Sequence, residues 1–171
     1  MGEAYEHFFD ALASHEPRTL GELEDELGDK GVGLQQLFEV TMVLASDGSV
    51  ELAQSQEDID ATRDTSDSLN LVLFNKARSS NDIQHLTSPV TGGGVPCNRF
   101  EQLFIASARH GKNEPEEWAA EAWDILSGQG QQLVVDGVTL STPEENLAEL
   151  VTRAKEFDRD RAVIMRALGI L

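Results

Sequence analysis

Three segments with helical apolar spacing in the first third of the chain are followed by a glycine and a short strand-like run. The segments are Tyr5–Leu12, Thr19–Leu27 and Leu34–Ser46, and Gly48 precedes the run Val50–Ala53. Three helices followed by a wing are typical of a winged-helix unit, in which the third helix reads the major groove of DNA. The pattern therefore predicts a winged-helix-like unit over residues 1–54.

The charge of this region conflicts with its helix order. Leu34–Ser46, the helix in the recognition position, contains no Lys or Arg, which a helix lying along phosphates needs. The whole chain has a net charge of −18, and Met1–Asp67 alone holds seventeen acidic residues against three basic ones. Such a surface repels both a duplex and anionic lipid, so we expect neither nucleic acid nor membrane as a partner. Two interpretations remain open: an acidic surface that favours solubility, or one that favours a basic partner.

Local signals predict a mainly α-helical chain. Capping signatures mark helix starts at Thr19–Glu22, at Asn98, at Pro115 and at Thr142–Glu145. In the third helix, the apolar spacing predicts a buried face made of Leu34, Leu37, Phe38, Thr41, Met42 and Ala45.

The rest of the chain is predicted to hold a connector and a helical unit. Residues 55–67 are polar and acidic, and we expect a connector or mobile segment there. Residues 68–171 are predicted to form a helical unit with a short helix at Ser68–Arg78 and a Gly-rich β-hairpin at Val90–Val95. A long helix is expected from the Thr142 cap to about Leu168. Its apolar surface exceeds what the short helices of its own unit could cover, which favours packing against the first unit.

No constellation in the sequence indicates catalysis, a cofactor or a metal. Thr91–Pro96 (TGGGVP) lacks the GxGxxG spacing of a nucleotide loop, and no Lys-Ser/Thr follows its glycines. The four histidines make no ligand spacing, and Cys97 has no second cysteine. Glu116, Glu117, Glu121 and Asp124 are interpreted as a solvated helix face. We therefore expect no enzyme activity in this chain alone, no cofactor and no metal site.

Five residues are candidates for contact with a partner. Trp118 and Trp123 lie five positions apart on one predicted helix, where core packing competes with an aromatic anchor for a partner. Gly92, Gly93 and Gly94 form the tip of the predicted hairpin.

Cysteine content and hydropathy predict a cytoplasmic protein. Cys97 stands alone, so an intramolecular disulfide is impossible. No apolar run approaches the roughly 20 residues of a membrane span. The start, MGEAYEHFF, lacks the basic region and long apolar stretch of a signal peptide.

Several runs in the second half resemble a known family. Ser88–Pro96 (SPVTGGGVP) through Arg99–Phe104 (RFEQLF), together with Glu117-Trp-Ala, Gln129–Leu133 and Thr142–Leu150, are similar to the C-terminal region of bacterial class I methyltransferases that carry a methyltransferase regulatory domain. The acidic unit ahead of them resembles the segment that precedes those tails. In that family a separate N-terminal domain, without a counterpart in these residues, binds S-adenosylmethionine and performs the chemistry.

The resemblance implies an accessory role beside a methyltransferase catalytic domain, in cis or in trans. That role would be regulation, substrate presentation or oligomer contact, with self-association as an option. Two alternatives stay open: a winged-helix DNA-binding transcriptional regulator, and a standalone protein-interaction adaptor.

Overall fold

The computed structural model describes residues 2–171 and divides the chain into two compact units, Met1–Gln54 and Ser55–Leu171. The described residues form eight α-helices and two small antiparallel hairpins, which confirms a mainly α fold. The helices are α1 (Gly2–Ala11), α2 (Leu20–Leu27), α3 (Leu34–Ser46), α4 (Gln56–Ala77), α5 (Arg99–Arg109), α6 (Pro115–Gly128), α7 (Pro143–Asp160) and α8 (Ala162–Ala167). The strands are β1 (His85–Thr87), β2 (Gly94–Pro96), β3 (Val134–Val135) and β4 (Val138–Thr139).

The first unit consists of α1, α2 and α3 around its own core. Helix α2 begins at the predicted capping box: the Glu22 amide donates to Thr19 Oγ1 (3.2 Å), and the Thr19 amide donates to Glu22 Oε2 (2.7 Å). A 3-10 turn at Gly28–Lys30 then leads toward α3. The core residues of this unit are Phe8, Ala11, Leu23, Leu27, Val32, Leu37, Val40 and Leu44.

The predicted wing is wrong. Residues 47–55 contain no strand, and the Val50 amide instead donates to Leu44 O (3.2 Å), which closes the end of α3. A wing is a hairpin, and Val50–Ala53 has no second strand to pair with because the chain enters α4 at Gln56. The described part of the first unit is therefore a three-helix arrangement without a wing.

The predicted connector over residues 55–67 is also wrong, because residues 56–67 are the first half of α4 and Ser55 is its N-cap. Ser55 caps the helix by accepting a hydrogen bond from the Asp58 amide (3.2 Å). The acidic side chains of Glu57 and Asp58 lie in the first turn, where they complement the helix dipole. The predicted helix at Ser68–Arg78 is the second half of the same element, and all of α4 belongs to the second unit.

The core of the second unit lies between α5, α6 and α7. Helix α5 begins at the predicted cap, where Asn98 Oδ1 accepts from the amides of Phe100 (2.9 Å) and Glu101 (3.1 Å). The ring of Phe157 on α7 lies 6.1 Å from that of Phe104 on α5 and 6.2 Å from that of Trp118 on α6. The apolar face of α7 is thus covered within its own unit, so the inferred excess of apolar surface was wrong.

The predicted long C-terminal helix is interrupted at Arg161. Helix α7 ends at Asp160, and the backbone of Arg161 (φ −123°, ψ −30°) leaves helical geometry before α8 begins. Ala162 and Met165 on α8 are fully buried in the same core as α7. Apolar spacing alone does not show this break, because both helices bury their apolar residues in one core.

The two hairpins of the second unit each turn at a glycine. The predicted Gly-rich hairpin is confirmed, but Val90 lies in its turn over residues 88–93, and the paired strands are β1 and β2, with Leu86 opposite Val95. Of its three consecutive glycines, only Gly92 adopts a positive φ (68°). Asp136 and Gly137 (φ 50° and 80°) form the tight turn of the second hairpin, as expected of a type I′ turn.

Candidate interaction surface

Helix α3 is apolar on two different faces. Leu37, Val40 and Leu44 are buried in the core of the first unit. Leu34, Phe38 and Met42, in contrast, expose 48%, 56% and 59% of their surface. Their spacing of four residues places them in one row along the helix, which we call the exposed stripe.

The face predicted to be buried is therefore largely the wrong one. Of the residues predicted for it, only Leu37 is fully buried, whereas the exposed stripe faces solvent. A helix that is apolar all round does not reveal by periodicity which face packs. Val40 and Leu44 are buried instead, because α1 and α2 cover the side of α3 that carries them.

The edges of the exposed stripe differ in polarity. Thr41 and Ala45 are half-buried and lie between the stripe and the core face. Thr41 Oγ1 is buried and has no hydrogen-bond partner. The opposite edge carries Gln35 and Glu39, whose side chains are joined by a hydrogen bond of 3.2 Å. Glu39 is the one charged residue in the sequence of α3.

The unit that presents this stripe is strongly acidic. Residues 1–54 contain twelve acidic residues and two basic ones, Arg18 and Lys30. Arg18 is already paired with Glu26 at 2.9 Å. The helix in the recognition position therefore offers apolar side chains in a negative field, which is unsuited to phosphate contact.

Trp118 is not available as a contact for a partner. Its side chain is 2% exposed, and its indole N–H donates to Lys112 O (3.0 Å). Trp118 is one of the buried residues of α6, together with Ala119, Ala122 and Leu126. The prediction that it contacts a partner is therefore wrong, because its side chain packs in the core. Trp123 lies beside these residues, is half-buried and packs against the same core; its role in partner contact stays a prediction.

The glycines of the first hairpin's turn are exposed, but the backbone amides of this turn are already hydrogen-bonded to Ser88. Buried Ser88 Oγ accepts from the amides of Val90 (3.1 Å) and Thr91 (3.2 Å) and donates to Leu168 O (2.7 Å). The Gly92 amide donates to Ser88 O (3.0 Å). These bonds leave no row of free amides at Val90–Gly92 to hold an anion. Gly92, Gly93 and Gly94 thus form a surface turn, and their contact with a partner stays a prediction.

A serine, a glutamate and a histidine lie close together between α5 and α6, without the geometry of a catalytic triad. Buried Ser107 donates to Glu121 Oε2 (2.7 Å), and His110 Nδ1 lies 3.9 Å from Glu121 Oε1. A nucleophilic serine needs its own contact with the base, whereas this hydroxyl is bonded to the carboxylate. The arrangement fastens α5 to α6.

Cys97 is equally unsuited to nucleophilic chemistry. Its side chain is buried, and burial, assisted by the Glu101 carboxylate, raises the pKa of the thiol well above its ordinary value. Among residues 2–171, no group of three His, Cys, Asp or Glu side chains is placed to hold a metal ion.

Two small adjoining clefts lie beside α5 and α7, with volumes of about 230 and 340 Å³. They share Asn98, Phe100 and Arg153. The Arg153 guanidinium lies 5.0 Å above the Phe100 ring and bonds to Glu149 (2.7 Å), so its charge is already satisfied. In the first cleft, the buried Arg161 Nε makes no hydrogen bond and lies 3.7 Å from Glu101 Oε1.

Across residues 2–171, no helix combines the length and apolar character needed to cross a bilayer.

Comparison with known proteins relates the chain to part of a longer protein. It is 30% identical over 154 residues to the uncharacterized protein sll1526 of Synechocystis sp. (strain ATCC 27184 / PCC 6803 / Kazusa). The match covers 90% of this chain and 30% of that protein, so the chain spans less than a third of its relative. No family model and no solved structure matches the chain.

Proposed function

We propose that this chain is a non-catalytic accessory module that docks onto a methyltransferase catalytic domain through the exposed stripe of α3. The observation that carries the docking role is the stripe itself: Leu34, Phe38 and Met42 are all about half exposed on one helix face. Contiguous exposed apolar surface of this kind often marks an interaction site. The methyltransferase as partner comes from the family resemblance, in the same polypeptide or a separate one.

The size of the stripe suits a modest docking energy. Fully burying one large apolar side chain stabilises by about 1.5–3 kcal/mol. Because each stripe residue is already partly covered, its burial by a partner contributes on the order of 1 kcal/mol. A contact of this strength suits regulation or substrate presentation, in which an accessory surface binds and releases.

Observations on α3 weigh against the DNA-binding alternative. The helix in the recognition position has no basic residue, and its exposed face is apolar. The adaptor alternative, in which the partner has no methyltransferase domain, shares the same stripe and differs only in the partner.

We further propose that the module works in the cytoplasm. The support is Cys97, a single buried thiol that cannot form an intramolecular disulfide, as is usual in a reducing compartment.

Photo-crosslinking from the stripe identifies the partner. The native host would produce the chain with Phe38→p-benzoylphenylalanine, and a matched control would carry the same group at Val72, an exposed residue of α4. We expect the probe at position 38, and not the probe at position 72, to capture a protein or segment that contains an S-adenosylmethionine-binding domain. Capture of proteins without such a domain would contradict the methyltransferase role and favour the adaptor.

Calorimetry tests the non-catalytic part of the proposal. The chain alone should give no heat of binding with S-adenosylmethionine, because no described loop forms a cofactor cradle. Micromolar binding would overturn this part.

A further inference from the structure

We infer that the exposed stripe binds an amphipathic helix whose apolar face is flanked by lysine or arginine. The inference rests on the proposed docking role of α3 and specifies the chemistry of the segment that docks. It is carried by two independent features of the first unit: the geometry of the stripe and the sign of the charge around it.

The geometry of the stripe favours a helix as its occupant. Leu34, Phe38 and Met42 extend over about 12 Å at 1.5 Å per residue and form a ridge of side chains four positions apart. Ridges of this spacing pack into the grooves between side chains on another helix. The backbone amides and carbonyls within α3 are used in the helix itself, so an extended strand would find no edge to pair with. Two to three turns of a helix are enough to cover the ridge.

The charge of the unit selects a basic occupant. Residues 1–54 contain twelve acidic residues against two basic ones, and one of the acidic residues, Glu39, lies on α3 beside Met42. Lysines or arginines flanking the apolar face of the incoming helix would be attracted by this field. A second copy of this chain would bring a second acidic unit against the first, and an anionic membrane would be repelled in the same way. The favoured occupant is therefore a basic helix of a different protein segment.

Peptide binding by the full chain tests this inference. The probe is a fluorescein-labelled 18-residue peptide with leucines at helical spacing and lysines on both flanks. Matched controls replace every lysine by glutamate or scramble the leucine positions. Fluorescence anisotropy should show binding of the Leu/Lys peptide, weakening as salt rises, and at least roughly tenfold weaker binding of both controls. Failure of the Leu/Lys peptide to bind, or equal binding of the Leu/Glu or scrambled peptide, would overturn the inference.

Paired variants locate the binding surface. Phe38→Gln with Met42→Gln removes two stripe residues and should weaken Leu/Lys binding by roughly tenfold or more. Leu69→Gln with Val72→Gln removes two comparably exposed apolar residues of α4 and should change it by less than about twofold. Phe38→Leu, which preserves an apolar ridge, should bind nearly as well as the unchanged chain. Equal losses in the two double variants would contradict the assignment to α3.

Two further measurements distinguish a basic helix from a second copy of this chain and from a lipid surface as the occupant of the stripe. Sedimentation should show a monomer at micromolar concentration, and pelleting with phosphatidylserine/phosphatidylcholine vesicles should show no association. A dimer or vesicle binding that Phe38→Gln/Met42→Gln abolishes would assign the stripe to a second copy or to lipid and overturn the inference. If the probe at position 38 captured a methyltransferase but the Leu/Lys peptide did not bind, the proposed function would stand. Only the inference of a basic helix would be overturned.

Discussion

Three buried amide side chains hold the irregular segments of the second unit to its helices. Asn70, Gln102 and Asn146 are each 0% exposed. Gln102 Nε2 donates to the carbonyls of Ile83 and Cys97 (both 2.8 Å), one on each side of the first hairpin. The hydrogen-bond partners of these amides are backbone groups of loops and hairpins, whereas Gln102 Oε1 is buried and has no partner.

Replacing Asn70 by alanine should destabilise the second unit by about 3 kcal/mol, because it leaves two partly buried backbone groups of Thr87 on β1 without partners. Asn70 Nδ2 donates to Thr87 O (2.8 Å), and Asn70 Oδ1 accepts from the Thr87 amide (2.8 Å). Urea unfolding followed by circular dichroism measures the loss. Ser68→Ala, at an exposed position of the same helix, is the matched control and should change stability by less than about 0.5 kcal/mol. A similar effect of the two substitutions would show that the amide bridge is not stabilising.

Phe157→Ala should cost about 3–5 kcal/mol, since it leaves a cavity where one ring meets Phe104 and Trp118. Urea unfolding followed by tryptophan fluorescence reports it, because Trp118 lies against the cavity. Phe38→Ala removes the same side chain from the exposed stripe and should cost less than about 1 kcal/mol. If Phe38→Ala were as damaging as Phe157→Ala, the stripe would be part of the core and not a free surface.

At the scale of the helix and hairpin, local chemistry was predictable. The capping residues Thr19, Asn98 and Thr142 begin helices where the sequence predicts them, because a cap needs only a side chain and amides within three residues. The turn at Asp136-Gly137 follows from the same local logic.

Features decided by distant contacts were not predictable. Helix α3 has two apolar faces, and its contacts with α1 and α2 determine which of them is buried. The polar segment 55–67 has too few apolar residues to reveal a helix, and the bridge from Asn70 to Thr87 joins residues seventeen positions apart. In the candidate site, the apolar spacing of α3 predicts that Phe38 and Met42 are buried, whereas both are exposed.

The capping box of α7 should make stability depend on acidic pH. Hydrogen bonds from the Thr142 amide and then from its side chain lower the pKa of Glu145 below the ordinary value of 4.5. A lowered pKa in the folded state means that this stabilisation is present above about pH 4.5 and is lost as pH falls through the folded-state pKa. Glu145→Gln should therefore show a smaller fall in unfolding free energy between pH 6 and pH 3 than the unchanged chain. An unchanged pH dependence in the variant would remove Glu145 as a source of acid sensitivity.

At the scale of the whole molecule, the chain consists of two compact units that differ in charge. Residues 1–54 hold twelve of the thirty-one acidic residues but two of the thirteen basic ones. The second unit, in contrast, uses arginines within its own structure: Arg109 bonds to Asp67 and to Ile170 O (both 3.0 Å). The unit with the exposed stripe is thus the one whose negative charge is least compensated.

Limited proteolysis should cut the chain in the irregular segment that precedes α4 and not within α4. Leu52 is 73% exposed and lies in a segment without helix or strand, whereas residues 56–67 are helical. Thermolysin should therefore cleave before Leu52 first, as mass spectrometry of the fragments would show, and Leu52→Asp should slow that cut. Early cleavage within residues 56–67 would contradict a stable helix there and would support the mobile connector that the sequence predicts.

Methyl NMR of the full chain titrated with the Leu/Lys peptide tests the central claim most directly, because it reports where binding occurs without altering the protein. We expect saturable shifts of the methyl groups of Leu34, Met42 and Ala45 on α3, with little change at Leu69 and Val72 on α4. Shifts concentrated on α4 or elsewhere in the second unit, or no saturable shifts, would contradict the claim that the exposed stripe binds a basic amphipathic helix.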